Sequence, residues 1–227
     1  PICQDCVVTV KDVQPSDDQK LVALTFDDGP SEYTSQYLQI LQDKGVEATF
    51  FCLGKEVDAR PDEAKAIVDA GCQICSHSYD HPDLRYAEPQ TVVDELTSSF
   101  SSIENATGEK TTTFRPPYGS FTQRTWLATQ GVATAAVRWD IDTEDWKQPG
   151  VDQIVSAACS NVHSGSIILM HDGGGPRDQD VEALPQIIDT LQSQGYTFVT
   201  ISELLASDDS IPDDVASCNS TMPESAV

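Results

Sequence analysis

Two carboxylates stand side by side at Asp27 and Asp28, at the end of an apolar run and just before Gly29-Pro30. Adjacent residues on a strand face opposite ways, so both can serve one site only where the backbone turns. The glycine-proline pair supplies such a turn. Taken alone, the segment also fits a solvated acidic turn. The chain holds four histidines, and His77 and His81 lie four residues apart in His77-Ser78-Tyr79-Asp80-His81. Neutral imidazoles suit zinc or a similar transition metal. Arg115-Pro116-Pro117-Tyr118-Gly119 carries a double proline that fixes the backbone. A turn that rigid can aim Arg115 at a carboxylate and a backbone N–H at an oxyanion. Asp140-Ile141-Asp142-Thr143-Glu144-Asp145-Trp146 offers acids beside one large apolar wall. Leu169-Met170-His171-Asp172 puts another imidazole at the end of an apolar run. All five segments fall where a strand-like run ends.

Those runs span residues 21–26, 48–53, 73–76, 112–115, 134–139, 166–170 and 197–201. Helical stretches separate them, near 31–44, 63–70, 90–103, 122–129, 152–161 and 181–194. Glycines such as Gly45 and Gly108 follow the helices, where a left-handed cap favours that residue. Strands alternating with helices predict an α/β fold with a mostly parallel sheet. About seven such units suggest a closed or nearly closed (β/α) barrel, with a doubly wound sheet as the alternative. Residues 1–20 form an N-terminal extension, 21–205 the main domain and 206–227 an acidic tail that is expected to wrap the surface, tethered through Cys218.

The 227 residues suffice for one well-filled core. The formal charge is -24, with 13 Lys and Arg against 37 Asp and Glu, which speaks against a nucleic-acid partner. Such a surface provides solubility, and it suits a neutral polymer or one that becomes cationic. No apolar run approaches the ~18 residues of a membrane span. The start at Pro1-Ile2-Cys3 reads as a processed N-terminus. There are seven cysteines, Cys3, Cys6, Cys52, Cys72, Cys75, Cys159 and Cys218. The two Cys-x-x-Cys pairs lie too far apart in sequence for the usual zinc ribbon. Disulfides are the expectation, with Cys218 joined to Cys3 or Cys6 and a bridge involving Cys72 or Cys75 shaping the rim. Cys52, after two phenylalanines, reads as a small buried hydrophobe. Asn105-Ala106-Thr107 and Asn219-Ser220-Thr221 are glycosylation sequons. Together with the cysteines they point to a eukaryotic secretory route and an extracellular location.

In order, the five segments resemble the motifs of the polysaccharide deacetylase family, carbohydrate esterase family four, whose shared region is the NodB-homology domain. The likeness runs from about Leu21 to Leu205 and is greatest to fungal chitin deacetylases. It implies a distorted (β/α) barrel with its site at the strand C-termini, where barrel enzymes place their chemistry. It further implies that Asp28, His77 and His81 bind a divalent metal, commonly zinc (Zn2+), with cobalt (Co2+) able to replace it. Asp27 would be the general base, oriented by Arg115. The backbone N–H of Tyr118 would help hold the oxyanion. His171 would be the general acid, paired with Asp145, and Trp146 and Leu169 would line the acetyl pocket. The chemistry is coherent: water is a poor nucleophile and an amide a poor electrophile at neutral pH, and a divalent metal addresses both. An amine leaves badly unless protonated, which calls for a separate acid. The implied activity is N-deacetylation of chitin or its oligomers by a monomer. Acetylxylan esterase and peptidoglycan deacetylase are the alternatives. A non-catalytic sugar-binding relative would lack the base, the acid or the metal triad, and this sequence keeps all three.

Overall fold

In the computed structural model, residues 8–10 and 13–216 are described. The longest strand, β2 (Leu21–Asp27), is buried along its whole length. Its alternate residues face two cores, as the strand period requires. Val22, Leu24 and Phe26 join the core beneath the outer helices, and Leu21 and Ala23 join the core inside the barrel. Thr25 and Asp27 continue that inward series, which brings the first acid to the mouth.

Among the described residues, nine strands form one sheet in which every pairing is parallel. In chain order they are β1 (Val8–Val10), β2, β3 (Thr49–Cys52), β4 (Gln73–Ser76), β5 (Thr113–Phe114), β6 (Ala135–Val137), β7 (Ile141–Asp142), β8 (Ser166–His171) and β9 (Thr197–Phe198). Their spatial order is β1-β6-β5-β4-β3-β2-β8-β7, with β9 paired to the start of β2. Among the described residues no pairing joins β1 to β7, so the sheet curls into a distorted (β/α) barrel that stays open.

The helices are α1 (Thr34–Lys44), α2 (Gly54–Ala59), α3 (Pro61–Asp69), α4 (Pro89–Thr107), α5 (Gln123–Thr129), α6 (Val151–Cys159), α7 (Asp178–Ser193), α8 (Ile201–Ala206) and α9 (Asp213–Ala216). Helix α1 ends on Gly45 and α4 on Gly108, both left-handed, so the predicted stops fall where glycine places them. Ile201, Leu204 and Leu205 of α8 fill the barrel interior with Val13, Val215 and Ala216. No helix among the described residues is long and apolar enough to cross a membrane.

The seven expected strands all occur, with differences at their ends. The run 197–201 is strand only to Phe198, because Thr200 and Glu203 form a capping box that starts α8 at Ile201. Strands β1 and β7, of three and two residues, carry no periodic signal of their own. Cys72, just before β4, faces the helix-side core and Cys75, on β4, the barrel interior, and no disulfide joins these two. No disulfide joins two described cysteines. Cys52 is fully buried, and burial pushes its thiol well up. The pairing expected for Cys218 with Cys3 or Cys6, and the sequon at Asn219, lie outside the described residues. Asn105 is exposed on α4.

Candidate active site

The strand ends bring the chemistry-bearing residues to one mouth. Asp27, Asp28, His77, His81, Tyr118, Trp139, Asp142, Trp146, Leu169, His171, Gly174 and Arg177 line a cleft of about 390 Å³. Arg115 and Asp145 lie directly behind that lining.

The backbone leaves its regular path at several of these positions. Asp28, Ser78, His81 and Tyr118 have φ of 74°, 70°, 65° and 60°, left-handed values uncommon for residues with a side chain. At Asp28 this breaks the strand alternation, so both acids reach the same mouth. Gly173 and Gly174 make room for it. A Cβ on Gly173 would collide with the Asp28 carbonyl, and one on Gly174 would lie 2.7 Å from Asp28 Oδ2.

Asp28 Oδ1 lies 3.5 Å from His77 Nε2 and 3.5 Å from His81 Nε2. That oxygen is buried and has no hydrogen-bond partner among the described residues. His77 Nδ1 meets the Arg115 carbonyl at 2.7 Å, which fixes the Nδ1–H tautomer and turns the Nε2 lone pair to the mouth. Burial, then the neighbouring His77, lowers the His81 pKa and favours a neutral ring. One carboxylate oxygen and two imidazole nitrogens, all within 4.8 Å of one another, are a donor set for a divalent metal. An orphaned buried carboxylate oxygen at their centre fits that group. Asp28→Ala, His77→Ala or His81→Ala should each lower metal content and activity together, read by elemental analysis and acetate release. Full occupancy and full rate in any of the three would remove that residue from the ligand set.

Asp27 sits beside this cradle, its Oδ2 3.6 Å from His77 Nε2. Its Oδ1 accepts a 2.7 Å hydrogen bond from Arg115 Nη1. Arg115 is fully buried, and it also donates to Thr25 Oγ1 at 2.8 Å and to the Val137 carbonyl at 3.2 Å. The guanidinium lies 4.1 Å from the Phe51 ring centroid. One residue therefore fixes Asp27 through its side chain and His77 through its carbonyl.

Across the cleft, His171 Nδ1 meets Asp145 Oδ1 at 2.7 Å, and the His171 backbone N–H donates to Asp145 Oδ2 at 2.7 Å. Burial works against a charged imidazole here. The hydrogen bond and charge of Asp145, aided by Asp27 and Asp28, outweigh it and push the His171 pKa up to about 9. Leu169 is buried in the wall, and Trp146 stands exposed at the rim. Tyr118 is also exposed, its ring centroid 4.7 Å from that of His81. All ten residues singled out from the sequence thus gather at one end of the barrel.

Four further polar residues carry no role in the sequence reading, although Asp142 and Asp172 stand within its segments. Asp142 and Arg177 line the cleft, and Asp180 lies buried beside Asp145. Asp172 is fully buried, accepts from Thr34 Oγ1 at 2.6 Å, and is pushed up to about 7 chiefly by burial. Trp139, the end of the predicted run 134–139, lines the cleft and sets its ring against Gly119.

Fold and site together define the class, a metal-dependent hydrolase built at the mouth of a (β/α) barrel. The chain belongs to the polysaccharide deacetylase family, whose model matches residues 14–136. It is 36% identical over 196 residues to a chitooligosaccharide deacetylase of Bradyrhizobium sp. (strain ANU 289), covering 81% of this chain and 90% of that protein. It is 37% identical over 190 residues to a peptidoglycan-N-acetylglucosamine deacetylase of Bacillus cereus, covering 82% and 89%. A bifunctional xylanase/deacetylase of Pseudobutyrivibrio xylanivorans is 38% identical over 187 residues, and there the match covers 82% of this chain but only 30% of the relative's length. Among solved structures, wild-type BA3943, a CE4 family pseudoenzyme from Bacillus anthracis, superposes with a TM-score of 0.81 at 33% identity, over 88% of this chain and 70% of that one. A pseudoenzyme can share this fold, so the case for catalysis rests on the site.

Proposed function

We propose that this protein hydrolyses the N-acetyl groups of chitin or chitin oligosaccharides, releasing acetate and leaving free amines. The observation that carries this reading is the hydrogen-bonded His171–Asp145 pair facing the Asp28–His77–His81 cradle across the cleft. An alkoxide leaves an ester with modest help, but an amine needs a proton as the C–N bond breaks. A histidine held protonated at neutral pH supplies it.

A divalent metal in the cradle, zinc or in its place cobalt, would polarise the acetyl carbonyl and make water a better nucleophile. The chain's own groups do the rest. Asp27, held by Arg115, takes the proton of the attacking water. The Tyr118 backbone N–H faces the developing oxyanion, and Leu169 and Trp146 enclose the acetyl methyl. His171 passes its proton to the departing amine, which leaves acetate and an amino sugar. Exposed Tyr118 and Trp146 offer apolar ring faces to sugar rings on either side.

Relatives named for chitooligosaccharides and for the N-acetylglucosamine of peptidoglycan support an N-acetylglucosamine substrate. The strong negative charge suits a polymer that gains ammonium groups as it reacts. The same reading places the enzyme outside the cell, in keeping with the exposed Asn105 sequon. The test is acetate release by the zinc-loaded protein from N-acetylglucosamine oligomers, acetylated xylan and peptidoglycan fragments. Oligomers should be deacetylated, longer ones better than the monomer, because remote sugars contribute binding energy to the reacting centre. Turnover of acetylated xylan alone would make it an acetylxylan esterase. Turnover of peptidoglycan alone would move the substrate to the bacterial wall.

A further inference from the structure

Behind the acid lies a second buried carboxyl that the proposed mechanism does not use. Asp180, in the first turn of α7, is fully buried, and neither of its oxygens meets a hydrogen-bond donor among the described residues. Arg177, just before α7, is 3% exposed. Its Nε donates to the Gly173 carbonyl at 3.0 Å. Its Nη1 makes no hydrogen bond among the described residues, and stands 3.8 Å from Asp180 Oδ2 and 3.9 Å from Asp145 Oδ2. Asp145 has already committed Oδ1 to His171 Nδ1 and the Trp146 N–H, and Oδ2 to the His171 N–H.

A buried ionised carboxylate with no donor is costly, since nothing replaces its lost hydration. A proton on Asp180 removes that cost and turns the group into a donor toward its neighbour. The surroundings push the same way. Burial, then Asp145, raises the Asp180 pKa, and Arg177 only partly opposes the shift. From α1, Tyr37 donates its hydroxyl to the His171 carbonyl at 2.7 Å and faces Asp180, Asp172 and Asp145. From the end of β8 come His171 and Asp172. Arg177 is the cation on the α7 side.

We propose that Asp180 and Arg177 are positioning residues for the acid: Asp180 carries a proton, donates it in a hydrogen bond to Asp145, and with the Arg177 guanidinium fixes the carboxylate that orients His171. The arrangement also tempers Asp145. A carboxylate that accepts a hydrogen bond from a neutral acid pulls less on the His171 proton, which keeps the imidazolium able to release it. The inference rests on the acid role proposed for His171, but its main readout does not require turnover.

The experiment is a histidine titration of the zinc-loaded protein, labelled with 13C at the imidazoles and followed by NMR, with His171 assigned by its absence in His171→Gln. Asp180→Asn keeps a neutral N–H donor in place of the acid's O–H. It should leave the His171 midpoint within about 0.3 unit of wild type and kcat within roughly threefold. A fall of about one unit or more would mean that a negative charge was removed from beside His171, and would overturn the proposal. Asp180→Leu removes the donor. In a folded, metal-loaded protein it should raise the midpoint by about half a unit or more and lower kcat on the acetamide roughly tenfold with KM kept. A midpoint matching wild type would overturn the proposal, and if the leucine variant does not fold, the asparagine titration decides alone. If no acetylated sugar is turned over but the titrations run as expected, the functional reading fails and the proton on Asp180 stands.

Discussion

Asp27→Asn should cut kcat on N-acetylglucosamine oligomers by roughly a hundredfold or more while leaving the metal content near that of wild type. The substitution is almost isosteric. Its amide oxygen can still accept from Arg115 Nη1, now 2.7 Å from Asp27 Oδ1, so the buried guanidinium keeps a partner. The remaining position, facing His77 Nε2, is then an N–H2 group with no lone pair to take a proton from water. Asp28, His77 and His81 are untouched, so the cradle persists. The measurement pairs kcat with elemental analysis of the same sample. Normal turnover in the folded variant would exclude Asp27 as the base. Joint loss of metal and rate would make Asp27 a ligand.

The residues of the Asp28–His77–His81 cradle were legible in the sequence because their signals are local, while their grouping as one donor set came from the family resemblance. Asp27-Asp28-Gly29-Pro30 encodes two acids and the turn that unites them, and His77 and His81 lie within one short loop. Arg115 was legible through the prolines that follow it. Its double duty, toward Asp27 by side chain and His77 by carbonyl, was not, because it depends on strand order: β5 pairs with β4, while β2 lies three strands away. Asp180 gave no signal at all. An aspartate in the first turn of an amphipathic helix normally reads as a solvated residue favoured by the helix dipole. Only the packing of α7 against α1 and α6, with Arg177 set between Asp180 and Asp145, reveals it as a buried neighbour of Asp145. Gly173 and Gly174 likewise read as a plain glycine-rich loop until Asp28 is found against them. The misread end of β9 has a different origin. Thr197–Phe198 continues into apolar residues, and β-branched Val199, Thr200 and Ile201 outweighed the Thr200-x-x-Glu203 start signal. The remaining short strands, β1 and β7, exist only because the sheet edge offers them partners.

His171→Ala should reduce hydrolysis of an N-acetylglucosamine oligomer by a hundredfold or more, roughly, and an activated aryl acetate far less. The contrast follows from the leaving groups. An aryloxide departs without a proton, whereas an amine does not, so only the amide substrate depends on the acid. The pH dependence separates this role from a structural one. His171 is held protonated up to about 9, and an acid is competent only while it keeps its proton. Amide turnover should therefore persist through neutral pH and fall as the pH rises through that value. The largest upward contributions come from the hydrogen bond and charge of Asp145, while burial pulls the other way. Asp145→Asn removes the charge and leaves the burial, so the alkaline limb should move down toward or below the ordinary histidine range, by about a unit or more. The kcat profile on the oligomer, compared between wild type and Asp145→Asn, measures the shift. An alkaline limb that stays in place would show that His171 does not set it. An equal loss on amide and aryl ester in His171→Ala would mean that the residue supports the site without delivering the proton.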